Sequence, residues 1–144
     1  MTIREERVRQ SFSRQAFMSS VHFGGRAHGR GSRRCGDSPA ISQTFTQQKG
    51  YLHAGAITAV LDSACGYAAL SVAADDKDVL SVEFKVNLLA PATGEIFAAR
   101  AQVKRAGRTL TVCTADAFAI SDGREKVVAT MLATIMAVPR RHDR

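Results

Sequence analysis

One stretch constrains this chain more than any other. Gly50-Tyr51-Leu52-His53-Ala54-Gly55 runs straight into Ala56-Ile57-Thr58-Ala59-Val60-Leu61-Asp62-Ser63-Ala64-Cys65-Gly66-Tyr67-Ala68-Ala69-Leu70. It reads as a glycine-bounded loop that becomes a long apolar helix, from about residue 54 to about 73, with Asp62 as its lone charge. Ile57, Leu61, Ala64 and Ala68 form one apolar face. Thr58, Asp62, Cys65 with Gly66, and Ala69 form a second face of small residues around the acid. A single carboxylate on such a helix is either a solvated edge or a working acid, and the second reading is adopted. Gly66 inside a helix costs up to about 1 kcal/mol relative to alanine, which close approach of another backbone to the small face could offset.

Alternation organises the chain beyond this helix. Residues 79–89 set Leu80, Val82, Phe84, Val86 and Leu88 against Ser81, Glu83, Lys85 and Asn87. Residues 95–105, 109–121 and 126–138 are further strands, separated by turns at residues 90–94, 106–108 and Asp122-Gly123. Upstream, residues 5–19 carry Val8, Phe12 and Ala16 at helical spacing, and residues 41–48 alternate as a strand. Consecutive hairpins imply an antiparallel sheet with the long helix on one face, an α+β fold.

The 144 residues, 45% hydrophobic and 23% charged, fit one globular domain. Asp62 interrupts the longest apolar run, so no membrane span is expected, and no secretory signal opens the chain. Cys35, Cys65 and Cys113 match neither a disulfide framework nor a zinc spacing, which implies reduced cytoplasmic thiols. The net charge of +7 sits at the ends. Residues 1–34 hold eight arginines against two glutamates, and residues 139–144, the basic tail, hold three arginines against one aspartate, which leaves −1 for residues 35–138. A nucleic-acid module more often carries its charge on the folded part, so a basic-arm nucleic-acid binder is a minor alternative. Residues 20–40 are rich in Gly, Arg and Ser and read as a long loop. His22, His28 and Cys35 within them have no recognised metal-ligand spacing.

His53-Ala54-Gly55, Asp62 nine positions later, Gly66, Ser81-Val82-Glu83-Phe84, Leu88-Leu89-Ala90-Pro91-Ala92 and Arg105-Ala106-Gly107-Arg108 together resemble the hotdog-fold acyl-CoA thioesterases of the phenylacetic-acid-degradation type. The resemblance covers roughly residues 41–138. It implies a hotdog fold, an antiparallel sheet wrapped around a long central helix. It implies hydrolysis of a small or aromatic acyl-CoA to free acid and coenzyme A. The first motif glycine of the family is Ala54 here, whose N–H would polarise the thioester carbonyl, with Gly55 as a second donor. Asp62 would be general base or nucleophile. Gln47 and Ser81 would orient water or carbonyl, and His53 would brace the loop. Arg105 and Arg108 would meet the phosphates of coenzyme A. No metal, and no cofactor beyond the coenzyme A of the substrate, is implied. Where relatives carry a strand, this chain has residues 20–40; two compensating frame shifts in the coding DNA would produce such a stretch.

Eight residues separate Ala54 from Asp62, so about 12 Å of helix axis lies between them. One carbonyl cannot meet both at about 3 Å. If both act, they come from different subunits, which implies a homodimer, with pairing into tetramers left open. No nucleic acid or membrane partner is expected. A hotdog protein that binds acyl-CoA without hydrolysing it is the alternative.

Overall fold

The structure, a computed structural model, describes residue 6 and residues 50–140. The expected first helix apart from Glu6, the loop at 20–40, the strand at 41–48 with Gln47, Cys35 and the end of the basic tail lie outside the described residues. Within them the order is one helix and four strands: α1 (Ala54–Val72), β1 (Lys77–Leu88), β2 (Ile96–Ala106), β3 (Leu110–Ser121) and β4 (Arg124–Pro139). The strands form one antiparallel sheet in the order β1-β4-β3-β2.

That order corrects the expectation of consecutive hairpins throughout. β2, β3 and β4 do follow one another, and Asp122 (φ 49°) and Gly123 (φ 72°) make the tight turn between β3 and β4 that a two-residue hairpin needs. β1, however, does not pair with β2. It lies beside β4 at the far edge. The link between them is fastened along its path. The N–H groups of Leu89 and Ala90 donate to Val128 O, Leu52 N–H donates to Ala92 O at 3.0 Å, and Glu95 N–H donates to Ile120 O. The link therefore crosses the sheet end and ties the loop before α1 to it. Alternation marks a strand but carries no information about its neighbour.

α1 packs across one sheet face. Leu61 and Cys65 are fully buried, with Ile57, Val60, Ala68 and Ala69 beside them. Opposite lie Ala99, Ala115, Ala117, Ala119, Ala129 and Ala133, with Cys113, Met131 and Ile135. This alanine floor lets a helix bearing its own small residues sit close to the strands, and burial of both apolar faces holds them together. By length and mean hydropathy (1.3) α1 could also cross a membrane. Its packing against the sheet makes it a core helix here.

The small face expected around Asp62 is only partly open. Cys65 and Ala69 point into the core, at 0% and 1% exposure. Thr58, Asp62 and Gly66 remain half-buried on the open side. A Cβ added at Gly66 would meet nothing within 4 Å among the described residues, so none of them requires glycine there.

Candidate active site

The start of α1 is built by His53. Its backbone is extended (φ −62°, ψ 136°), as an N-cap requires, and its Nδ1 accepts the Gly55 N–H at 3.0 Å. Its carbonyl accepts from Ala56 and Ile57. A Cβ on Gly55 would lie 3.2 Å from that Nδ1, so glycine gives the imidazole room against the first turn. Ala54 N–H is the amide of this turn left without an acceptor among the described residues. The expectation of two oxyanion donors is thereby narrowed, because Gly55 N–H already serves the His53 cap while Ala54 N–H is open. Accepting at Nδ1 also places the proton of a neutral imidazole on Nε2, as an outward donor.

Two turns further along α1, Asp62 Oδ1 accepts from Ser81 Oγ at 2.5 Å. The strict alternation read along residues 79–89 sets Ser81 on the face of Glu83 and Lys85, away from the helix. The structure reverses this. Ser81 pairs with Ile135, whose side chain is buried under α1, but Glu83 pairs with Thr134, so Val82 is an extra residue at a β-bulge. The bulge shifts the phase, and Ser81 joins Phe84 and Val86 on the helix-facing side. It is this irregularity that brings Ser81 to Asp62.

The hydroxyl has one proton, and it is given to Oδ1, which leaves Oδ2 of the carboxylate for a second partner. Burial pushes the nearby Cys65 thiol up to about 12, with Cys113 and Asp62 adding to the effect, and burial raises Cys113 to about 11. These thiols stay protonated and are packing groups.

The remaining candidates are not gathered with Asp62 or Ala54. Arg105 pairs with Val112 across another bulge, on the sheet face away from α1. Arg108 is exposed in the turn before β3. Both lie at the sheet end remote from the helix start. Among the described residues no group of three or more His, Cys, Asp or Glu could hold a metal. The β-bulge at Val82 was not found by sequence reasoning; a polar residue matched to a site but out of phase with that site's face was its only trace.

Comparison with known proteins places this arrangement in a class. The four-stranded antiparallel sheet curled on a central helix is the hotdog fold, shared with solved thioesterases. Residues 49–126 match the Thioesterase superfamily. The chain belongs to that superfamily, whose chemistry is thioester hydrolysis. A thioesterase family protein from Silicibacter pomeroyi is 46% identical, over 95% of this chain and 99% of that one, with a TM-score of 0.81. A putative thioesterase from Ralstonia eutropha JMP134, described as phenylacetic acid degradation-related, shares the fold at 21% identity, covering 94% and 99% of the two chains, with a TM-score of 0.71. A Bacillus halodurans protein, BH2602, solved with CoA, matches at 18% identity over 69% of this chain and 64% of that one, with a TM-score of 0.63. No curated protein matches the chain.

Proposed function

We propose that the protein hydrolyses a small or aromatic acyl-CoA to the free acid and coenzyme A at two composite sites of a homodimer. The observation that carries this is the Asp62–Ser81 hydrogen bond at the open edge of the sheet, set about 12 Å along the helix from the open Ala54 N–H. Neither group completes a site alone. β1 has no neighbour on one side among the described residues, and its Phe84 and Leu88 are 46% and 54% exposed. Pairing two such edges extends the sheet, covers these side chains and brings Asp62 of one protomer toward the helix start of the other.

The chemistry is set by the groups present. Ala54 N–H at the positive end of the helix stabilises the charge that develops on the thioester oxygen. Water attacks the carbonyl carbon as Oδ2 of Asp62 takes its proton, while Ser81 holds Oδ1. The C–S bond breaks and that proton passes to the departing thiolate, so acid and thiol leave together. Direct attack by the Asp62 carboxylate, forming an anhydride that water opens, uses the same positions. His53 holds the loop, Gln47 is assigned to water or carbonyl, and Arg108 to a phosphate of coenzyme A. CoA bound to the Bacillus halodurans neighbour is in keeping with this substrate class. The free thiols at Cys65 and Cys113 accord with a reducing, cytoplasmic setting.

The test is a panel of acyl-CoA thioesters mixed with purified protein and a thiol reagent. Thiol release with a small or aromatic acyl group supports hydrolysis. Ligand-dependent thermal stabilisation without release would instead make this a non-catalytic acyl-CoA binder.

A further inference from the structure

α1 and β1 run side by side in opposite directions from the short link between them. Asp62 and Ser81 hydrogen-bond at 2.5 Å, each about 15 Å from that link, one along the helix and one along the strand. From this anchor two further positions fall level. One turn back along α1, about 6 Å, is Thr58, half-buried on the open side. Its Oγ1 donates to Ala54 O at 2.9 Å, which commits the hydroxyl proton inside the helix. On β1, Ser81 pairs with Ile135 and Phe84 with Ala133. The bulge at Val82 thus sets Phe84 two pairing steps beyond Ser81, about 7 Å on, and on the same helix-facing side. Phe84 is a large ring, nearly half exposed at a sheet edge, where a charged side chain would ordinarily keep other chains away.

The composite sites say what meets that ring. Thr58 is four residues from Ala54 and four from Asp62. When Ala54 of each copy faces Asp62 of the other, the two-fold axis passes at the midpoint of that span. It is then level with residue 58, and so with Phe84. We infer that Phe84 determines acyl specificity, the rings of both copies meeting on the two-fold axis beneath Thr58 as one wall that closes both acyl pockets; this rests on the composite sites proposed above. Coenzyme A is the larger arm of the substrate and must leave toward solvent, so the acyl arm is the one directed at the axis. About 6 Å of helix axis separates Asp62 from that wall. This admits one aromatic ring or a short chain and stops a long one. An aromatic acyl group also gains from edge or offset contact with the Phe84 ring.

Butanoyl-, benzoyl- and decanoyl-CoA, compared by thiol release, test this. Phe84→Ala removes the wall from both sites at once. Its decanoyl-to-benzoyl ratio of kcat/KM is expected to rise by at least about tenfold, the weight of methylenes newly admitted to an apolar pocket. Leu88→Ala trims another exposed side chain about 13 Å farther along β1 and should leave the ratio within about threefold. Thr58→Leu brings the wall closer and should lower benzoyl relative to butanoyl release by about tenfold.

A cysteine pair reads the geometry without any activity. With Cys35 replaced by serine, Phe84→Cys sets two thiols across the axis, their Cα atoms about 4.5–5.5 Å apart as in opposed antiparallel strands, within disulfide reach. Oxidation by copper–phenanthroline should then give a covalent dimer on a non-reducing gel. Leu88→Cys, whose two copies lie about 26 Å apart, should give none. An unchanged ratio in folded F84A, or a dimeric F84C that forms no cross-link, overturns the proposal. A parent that sediments as a monomer overturns it together with the composite sites. If the parent is dimeric but hydrolyses none of the three, hydrolysis alone fails. The same ratio is then read from the melting shift with each acyl-CoA, and the cross-link stands as before.

Discussion

His53 Nδ1 accepts the Gly55 N–H at 3.0 Å, and the missing Gly55 side chain is what gives the imidazole room to do so. The two residues act as one device. His53→Ala removes the cap and is expected to cost about 0.5–2 kcal/mol. Gly55→Ala adds about 1 kcal/mol of helix propensity but crowds the ring. In the H53A background the same substitution has no ring to crowd and stabilises. A double-mutant cycle by thermal or urea denaturation is expected to show coupling of at least about 0.5 kcal/mol. Additive effects would dissolve the pair.

Ala54 can be tested without disturbing the helix. It is the first helical position, where proline is favoured, and His53 already has the extended backbone that a residue before proline adopts. Ala54→Pro deletes the N–H and little else. The expected result is a folded protein of nearly unchanged melting temperature, with turnover lower by about 10²–10³, the weight of one oxyanion donor. Turnover within about threefold of the parent would remove Ala54 from the mechanism.

Asp62→Asn keeps shape and an acceptor for Ser81 but removes the proposed base, and turnover should fall by about 10²–10⁴. Ser81→Ala leaves the carboxylate without its 2.5 Å donor. A smaller fall in turnover, about tenfold, with near-normal KM is expected, because the base is present but less well aimed. Steady-state kinetics on one thioester rank the variants, and a reversed order would contradict the assigned roles.

The buried thiols give a pH dependence of defined sign. The folded protein holds Cys65 and Cys113 protonated up to about 12 and about 11, whereas the unfolded chain releases these protons near the ordinary thiol value of 9.0. Above that value the native state binds more protons than the unfolded one, so stability falls as pH rises. Below it the two states are equally protonated at these groups and the effect vanishes. Urea midpoints measured from pH 8 to 10.5 should decline, and Cys65→Ala should flatten the decline. Native labelling with a thiol reagent at pH 8 should spare both cysteines until denaturant is added.

The local geometry of the candidate site could be read from residue order. The loop-to-helix stretch around His53, Ala54 and Asp62 is local, since a helix start and its first turns are set by near neighbours, and α1 begins at Ala54 as expected. The strands fell within two residues of their expected ends for the same reason. The register was not legible. The alternation of residues 79–89 turned Ser81 away from the helix, and only pairing with β4, which inserts a bulge at Val82, turned it back. The placement of β1 beside β4, rather than β2, likewise depends on contacts between residues far apart in sequence.

Sequence by itself determined the elements, because hydrophobic period and capping act over a few residues. It also supplied the spacing along α1 that forbids Ala54 and Asp62 from serving one carbonyl within a protomer. Tertiary structure decided which amide at the helix start stays open, which face of β1 carries Ser81, and where Arg105 points. Those outcomes depend on hydrogen bonds and strand pairings made once, between particular partners. A one-residue change in such a pairing inverts every side chain beyond it.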